Sequence, residues 1–376
     1  MMTKGNLGFG CMRLPVLDGN PEKIDIETFS KMADLFIKRG FTYFDTSYVY
    51  HNGKSEAAVR EAVVKRHPRN SFTIASKLPT FSINKKEQVA EIFQQQLENC
   101  GVEYFDYYLL HNVTAPRYEG CIKNCGMFEF LQEMKKAGKI RHIGFSFHDS
   151  AEVLDRVLTE HPEVEFVQIV INYLDWNSCF IQSRKCYEII RKHGKQVVIM
   201  ETVKGGALAQ VPAKAEALMK EADKGKSVAS WAVRFAAGLE GVLAVLSGMS
   251  NLEQVEDNTS YMQDFKPLTS VETDMLFHIA ELIQLGGPLH CADYRKYERI
   301  CANGLPADGV LEAYNNCMLQ ANPQFTAELN YYRNVRYQHK IIDDSPWLQG
   351  RAVCADGTDV TDKVAEAEAF LLKNMF

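Results

Sequence analysis

The chain has 376 residues, 46% of them hydrophobic and 24% charged, with a formal net charge of -6 at pH 7. That balance fits an ordinary globular protein with a large core and leaves no basic footprint for nucleic acid or for an anionic membrane surface. The N-terminal stretch has no apolar signal core and no apolar run is long enough to span a bilayer, so a cytoplasmic protein is expected.

Residues 7–10 are short and apolar and predict a first strand. Helical spacing over 26–39 (Phe29, Met32, Ala33, Phe36, Ile37) stops at Gly40, a good helix end. Strands are then predicted at 42–44, 72–76, 105–110, 140–145, 166–170, 197–200 and 242–246. Helices are predicted between them at 54–65, 86–100, 127–137, 151–159, 181–192 and 227–236, with a last one at 252–261. Eight strand–helix alternations over about 260 residues are the size of a (β/α)8 TIM barrel, an α/β fold. A doubly wound sheet competes, but its GxGxxG turn after the first strand is absent.

The alternation ends at Lys266-Pro267, which divides the chain into a barrel at 1–265 and a mainly helical second domain at 266–376. An apolar-periodic helix is predicted over 271–284, and the remainder is rich in Tyr and Asn without a strand signal. The ten cysteines are scattered, as free thiols of a reducing compartment are. Cys121 and Cys125 could share a helix face, but no further ligands stand near them to complete a metal site.

The run Phe44-Asp45-Thr46-Ser47-Tyr48-Val49-Tyr50 leaves its strand and turns polar at once. Lys77 follows the third strand and His111 the fourth, so successive strands deliver titratable groups to one end, where catalytic residues of a parallel barrel collect. The four types make chemical sense together. A phenol titrates near 10, a neighbouring ammonium stabilises its phenolate, and a carboxylate holds that ammonium charged. Tyr50 can then act as general acid toward a carbonyl oxygen that receives a hydride, while neutral His111 donates a hydrogen bond to the same oxygen.

More polar groups follow the later strands: Ser146 and His148, Gln168 and Asn172, Glu201 and Lys204. Ser, Gln and Asn suit a carboxamide such as nicotinamide, which needs both donors and acceptors. After the eighth strand, Ser247-Gly248-Met249-Ser250 opens a helix whose N-terminus can hold a phosphate.

Together these residues resemble the aldo-keto reductases. The match runs through Leu7 to Pro15, Asp45 to Tyr50, Gly53 to Glu56, Lys77, Tyr108 to His111, Gly144 to His148, Gln168 to Asn172 and Gly248 to Asn258. The resemblance implies a TIM barrel binding an extended nicotinamide cofactor, NAD(H) or NADP(H). Tyr50 would be the acid, Lys77 and Asp45 would tune it, and His111 would orient the carbonyl. Ser146, Gln168 and Asn172 would face the carboxamide, and Gly248, Ser250, Gln254 and Asn258 the adenosine end. Members that prefer NADPH usually place a lysine and an arginine around the 2′-phosphate. Gly248 and Gln254 stand there instead, which points toward NADH, although backbone groups could still accept NADPH.

The tail resembles the subgroup whose barrel is followed by a ferredoxin-like [4Fe–4S] domain with CxxCxxCxxxC runs. The corresponding places here are Cys291, Tyr294, Tyr297 and Cys301, and then Asp344, Trp347, Gly350 and Cys354. Too few thiolates remain, so no iron–sulfur cluster is expected. The function implied is NAD(P)(H)-dependent hydride transfer to or from a small-molecule carbonyl or alcohol. The alternatives are an isomerase or lyase-like enzyme with transient redox of a sugar carbon, and a cofactor-binding sensor or scaffold with little turnover.

Overall fold

The computed structural model describes residues 5–287, 289, 307–320, 328–329, 331–333, 351–353 and 357–374. Eight parallel strands form a closed barrel: β1 (Leu7–Gly10), β2 (Tyr43–Asp45), β3 (Thr73–Leu78), β4 (Phe105–Val113), β5 (Ile140–Phe147), β6 (Phe166–Val170), β7 (Gln196–Met200) and β8 (Val242–Ser247). Each pairs with the next, and β8 returns to β1 through Leu7↔Val245.

Side chains alternate along a strand, so every second residue points into the barrel. The inward set makes a floor of Tyr43, Ala75, Leu109, Phe166, Val198, Ala244 and Leu246, all buried in one cluster. Two residues further along β2, β3, β4 and β6 the same face carries Asp45, Lys77, His111 and Gln168. The polar layer therefore lies directly above an apolar plug. Gly144 is dictated by the closeness of β5 and β6, since a Cβ there would lie 2.5 Å from the carbonyl oxygen of Phe166.

The outward strand residues pack under the helices in the main core, which includes Phe9, Phe29, Phe36, Phe44 and Trp231. The helix Ile26–Lys38 is N-capped by Asp25, whose carboxylate accepts from Thr28 N–H, and Gly40 beyond its end takes φ 81°. The helix Glu87–Cys100 ends on Gly101 in the left-handed conformation.

Several boundaries differ from the periodicity. β4 runs on to Val113 and β5 to Phe147, so His111 and Ser146 lie within the strands, because the ladder between β4 and β5 continues past an irregularity at Leu110/Val113. The stretch predicted as one helix over 54–65 divides into a short α-helix, Ser55–Val59, and a π-turn, Arg60–Val64. A further helix, Ala213–Ala222, intervenes between β7 and the helix Val228–Ala237, so the alternation is not strictly one to one.

Beyond β8, the helix Ser270–Leu285 opens with a capping box between Thr269 and Glu272. Its Leu276, Ile279 and Ile283 are buried in the barrel's own core. The helices Ala307–Met318 and Thr361–Asn374 form a second core with Leu329, Tyr331 and Tyr332, and Val170, Phe180 and Ile181 from the barrel join it. The tail thus packs on the segment that follows β6. The cluster-motif places from Cys291 to Cys301 and from Asp344 to Gly350, with Cys354, lie outside the described residues. Ala313, Tyr314 and Asn315 sit in a helix, and Asp359 pairs as a bridge with Val353.

Candidate active site

Asp45, Lys77 and His111 converge because they occupy equivalent inward places on adjacent strands. Lys77 is 0% exposed, and its ammonium donates to Asp45 Oδ2 at 2.6 Å and to the carbonyl oxygen of Thr46 at 2.8 Å. It also lies 4.8 Å from the centre of the Tyr50 ring. Tyr50 packs edge-on against His111, with centroids 5.9 Å apart. The structure therefore brings all four residues together.

Tyr50 comes from the loop after β2, and that loop is fixed by a residue the sequence reading passed over. His51, at φ 52°, places Nδ1 2.8 Å from the carbonyl oxygen of Pro21, while Nε2 accepts from the backbone N–H of Leu14 at 3.0 Å. These partners define a neutral imidazole with its proton on Nδ1. Burial keeps His51 below the usual histidine range, opposed by its bond to Pro21. Asn52 adds a bond to Glu22 at 3.0 Å. The tyrosine loop is thereby buttoned to the loop after β1.

Burial lifts the Tyr50 phenol above its ordinary range; Lys77 pulls it down and Asp45 pushes it up. The expected lowering by Lys77 is present, but desolvation outweighs it. Burial alone would push the Lys77 ammonium down, yet Asp45 and Tyr50 hold it above its ordinary value, so it stays charged. Burial raises the Asp45 carboxyl against the pull of Lys77. Burial and then Lys77, with His148 and Arg117 behind, keep His111 well below the ordinary range, so its imidazole is neutral. His111 Nδ1 lies 3.1 Å from Ser47 Oγ, and Thr80 Oγ1 donates to its carbonyl oxygen at 2.6 Å.

Ser146 and Gln168 are register partners across β5 and β6. Ser146 Oγ accepts from Asn112 N–H at 2.8 Å. Gln168 is buried, and its Oε1 is a buried acceptor with no hydrogen-bond partner among the described residues. An unsatisfied acceptor in the polar layer is the feature an incoming amide N–H would satisfy. Asn172 is differently placed. Its amide donates to Asp175 Oδ2 at 2.7 Å and to the carbonyl oxygen of Glu201 at 3.1 Å, and its Oδ1 accepts from Asp175 N–H. Both amide hydrogens are spent on that turn, while Oδ1, which accepts a single bond there, keeps a second lone pair.

Gly248, Ser250, Gln254 and Asn258 line one cavity of about 380 Å³ beside Arg13, Ser247 and Gly205, at the N-terminus of the helix Leu252–Gln263. The cavity floor is braced: Asn258 donates to Ser247 Oγ at 2.8 Å, and Gln254 Oε1 accepts from Ser250 N–H at 2.7 Å. Carboxylates line it too, from Glu253 and Asp257. Arg13 is its one cation among the described residues and faces Glu201 at 3.5 Å. The orphaned Gln168 acceptor and this cavity fit the two ends of an extended dinucleotide.

Lys204 proved to be structural in place. Its ammonium meets both oxygens of Asp175 at 2.8 Å and also Glu328 of the tail. Asn112 was missed altogether. It adopts φ 62° beside His111, a conformation asparagine tolerates better than most residues, and the run His111-Asn112 leaving an apolar strand was the available signal. Among the described residues no cluster of His, Cys, Asp and Glu is arranged to hold a metal ion, and no helix is long and apolar enough to cross a membrane.

Residues 6–281 match the sequence profile of the Aldo/keto reductase family. A probable aldo-keto reductase of Glycine max is 31% identical over 173 residues, 43% of this chain and 46% of that protein, so the chain matches under half of that relative's length. L-galactose dehydrogenase of Arabidopsis thaliana is 23% identical over 282 residues, covering 70% of this chain and 85% of that protein. Among solved structures, the holo form of an aldo-keto reductase from Bacillus halodurans superposes with a TM-score of 0.59 at 23% identity, covering 73% of this chain and 92% of that one. An aldo/keto reductase from Klebsiella pneumoniae in complex with NADP and acetate gives 0.60 at 18% identity, covering 74% and 96%. At these identities the structural likeness speaks for the barrel.

Proposed function

Because the chain belongs to the aldo/keto reductase family of oxidoreductases, we propose that Tyr50 is the general acid and base of a carbonyl–alcohol interconversion at the mouth of the barrel. Nicotinamide, when bound, supplies or accepts the hydride. The chain's own residues govern the proton. In reduction, the Tyr50 hydroxyl gives its proton to the carbonyl oxygen as negative charge gathers there, and Lys77 stabilises the phenolate left behind. Asp45 holds Lys77 charged and aimed. Ser47 donating to Nδ1 of His111 leaves Nε2 carrying the proton, ready to donate to the same oxygen.

Gln168 Oε1 and Ser146 Oγ would hold the carboxamide, and the cavity at Gly248, Ser250, Gln254 and Asn258 the adenosine end. Glu253 and Asp257 in that cavity, against the single paired Arg13, favour NAD(H) over a 2′-phosphate. The tail would hold no cluster, since Tyr294, Tyr297, Asp344, Trp347 and Gly350 stand where the motifs need thiolates. The observation that carries the reading is the buried Lys77–Asp45 pair set against Tyr50.

Its test is Tyr50→Phe, followed by nicotinamide fluorescence titration and by turnover on an aldehyde panel. NADH binding should persist, tighter than NADPH, while turnover falls by about 10² or more, as expected when a general acid is lost. Wild-type turnover in the variant would reject Tyr50 as the acid, and tighter binding of NADPH would reject the cofactor assignment.

A further inference from the structure

Beside the four polar residues stands a cation without an anion. Arg117 lies just past the end of β4, where its Nη1 donates to the carbonyl oxygen of Asn112 at 3.1 Å. Its guanidinium carbon sits 5.5 Å from the centre of the Phe81 ring, and Phe81 packs edge-on against His111 at 5.5 Å. Arg117 is partly buried, and among the described residues no carboxylate pairs with it. Other arginines of the barrel are matched: Arg69 and Arg141 share Asp106, Arg191 meets Glu240 and Arg234 meets Glu272.

The surroundings sharpen the mismatch. His111 and His148 nearby are held neutral, and burial, with the charge of the exposed Arg333 of the tail second, works against the Arg117 cation. A half-buried guanidinium is unfavourable unless an anion joins it. The dinucleotide's phosphates are poor candidates, because their cavity opens at β8 and β1, across the barrel from β4.

Resting on the redox reading above, we propose that the compound turned over at Tyr50 is itself an anion, an oxo-acid or hydroxy-acid whose carboxylate is held by Arg117. In the reductive direction the carbonyl carbon gains a hydride from the reduced nicotinamide and the oxygen gains the Tyr50 proton. The carboxylate is unchanged, and the nicotinamide leaves oxidised. Arg117 suits this role because its fork can engage both oxygens of a planar carboxylate while Asn112 braces it from behind.

The experiment compares kcat/KM for 4-carboxybenzaldehyde and its methyl ester in the wild type, Arg117→Met and Arg117→Lys. Calorimetric binding of benzoate, benzamide and phenyl phosphate to the same full-length chains is measured alongside. The wild type should prefer the acid by roughly 10-fold or more, the methionine variant should lose that preference mainly through KM, and the lysine variant should recover part of it. Equal use of acid and ester by the wild type, or a preference that survives in Arg117→Met, overturns the assignment. Loss of turnover on both aldehydes with benzoate binding still dependent on Arg117 would sink the redox reading and keep the anion site. Benzoate binding indifferent to Arg117 sinks the anion site whatever the turnover. Phenyl phosphate bound well above benzoate overturns the carboxylate in favour of a phosphate ester.

Discussion

Lys77 and Lys204 are both sealed among the strand ends of one barrel, each against an aspartate, yet their surroundings are opposite. Lys77 meets a single oxygen of Asp45, and Asp45 Oδ1 is left without a hydrogen-bond partner among the described residues. Lys204 meets both oxygens of Asp175 and also Glu328, while Asn172 and Asn316 bind Asp175 from other sides. The first ammonium keeps a face turned to Tyr50, and the second is wrapped completely. The same charge pair thus serves two ends. Left under-coordinated beside a phenol, it has the freedom that the proposed proton transfer at Tyr50 requires. Fully coordinated between barrel and tail, it can only hold.

The contrast breaks most sharply on lysine removal. Lys77→Met should lower turnover per folded molecule by about 10² or more, because the Tyr50 phenolate loses its stabilising charge. Steady-state kinetics on protein whose fold is verified by circular dichroism checks this, and an unchanged rate would mean that Lys77 is as structural as Lys204. Lys204→Met leaves Asp175 and Glu328 facing each other in a buried site, and urea unfolding should show a loss of about 3–5 kcal/mol. Glu328→Gln, which keeps the Lys204–Asp175 pair, should cost less. Equal losses in the two variants would show that the tail carboxylate, and not the barrel pair, is the anchor.

The smallest effect concerns pH. Burial, with Arg117 second, lowers His148 to about 4. Since the folded value is depressed below the unfolded one, the unfolded chain takes up the proton first as pH falls. The stability His148 contributes is therefore present above about 6.5 and lost between there and about 4, worth about 1–3 kcal/mol given its partial exposure. Tyr331, His111 and Arg117 face it, so His148→Phe keeps the ring packing. Denaturant unfolding across that range should give a flatter slope for the variant, and an unchanged slope would place the titration elsewhere.

The barrel was legible because strand side chains alternate, so an apolar run that ends in Asp45, Lys77 or His111 announces both its core face and its polar end. Gly248 to Asn258 was legible as a helix start after a strand. Long-range partners left no such trace. Nothing near His51 says that it will bridge Leu14 and Pro21, and nothing near Asn172 says that Asp175 will take its amide hydrogen. Lys204 looks like another strand-end group until Glu328, far along the chain, arrives beside it. The seat of the tail against Val170 and Phe180 likewise depends on folded geometry that no local periodicity encodes.

The apolar floor of Tyr43, Leu109, Phe166 and their neighbours has a geometric consequence. It stops the barrel like a well, so a molecule that reaches the polar layer of Asp45, Lys77 and His111 has to come from the strand-end side and leave by the same way.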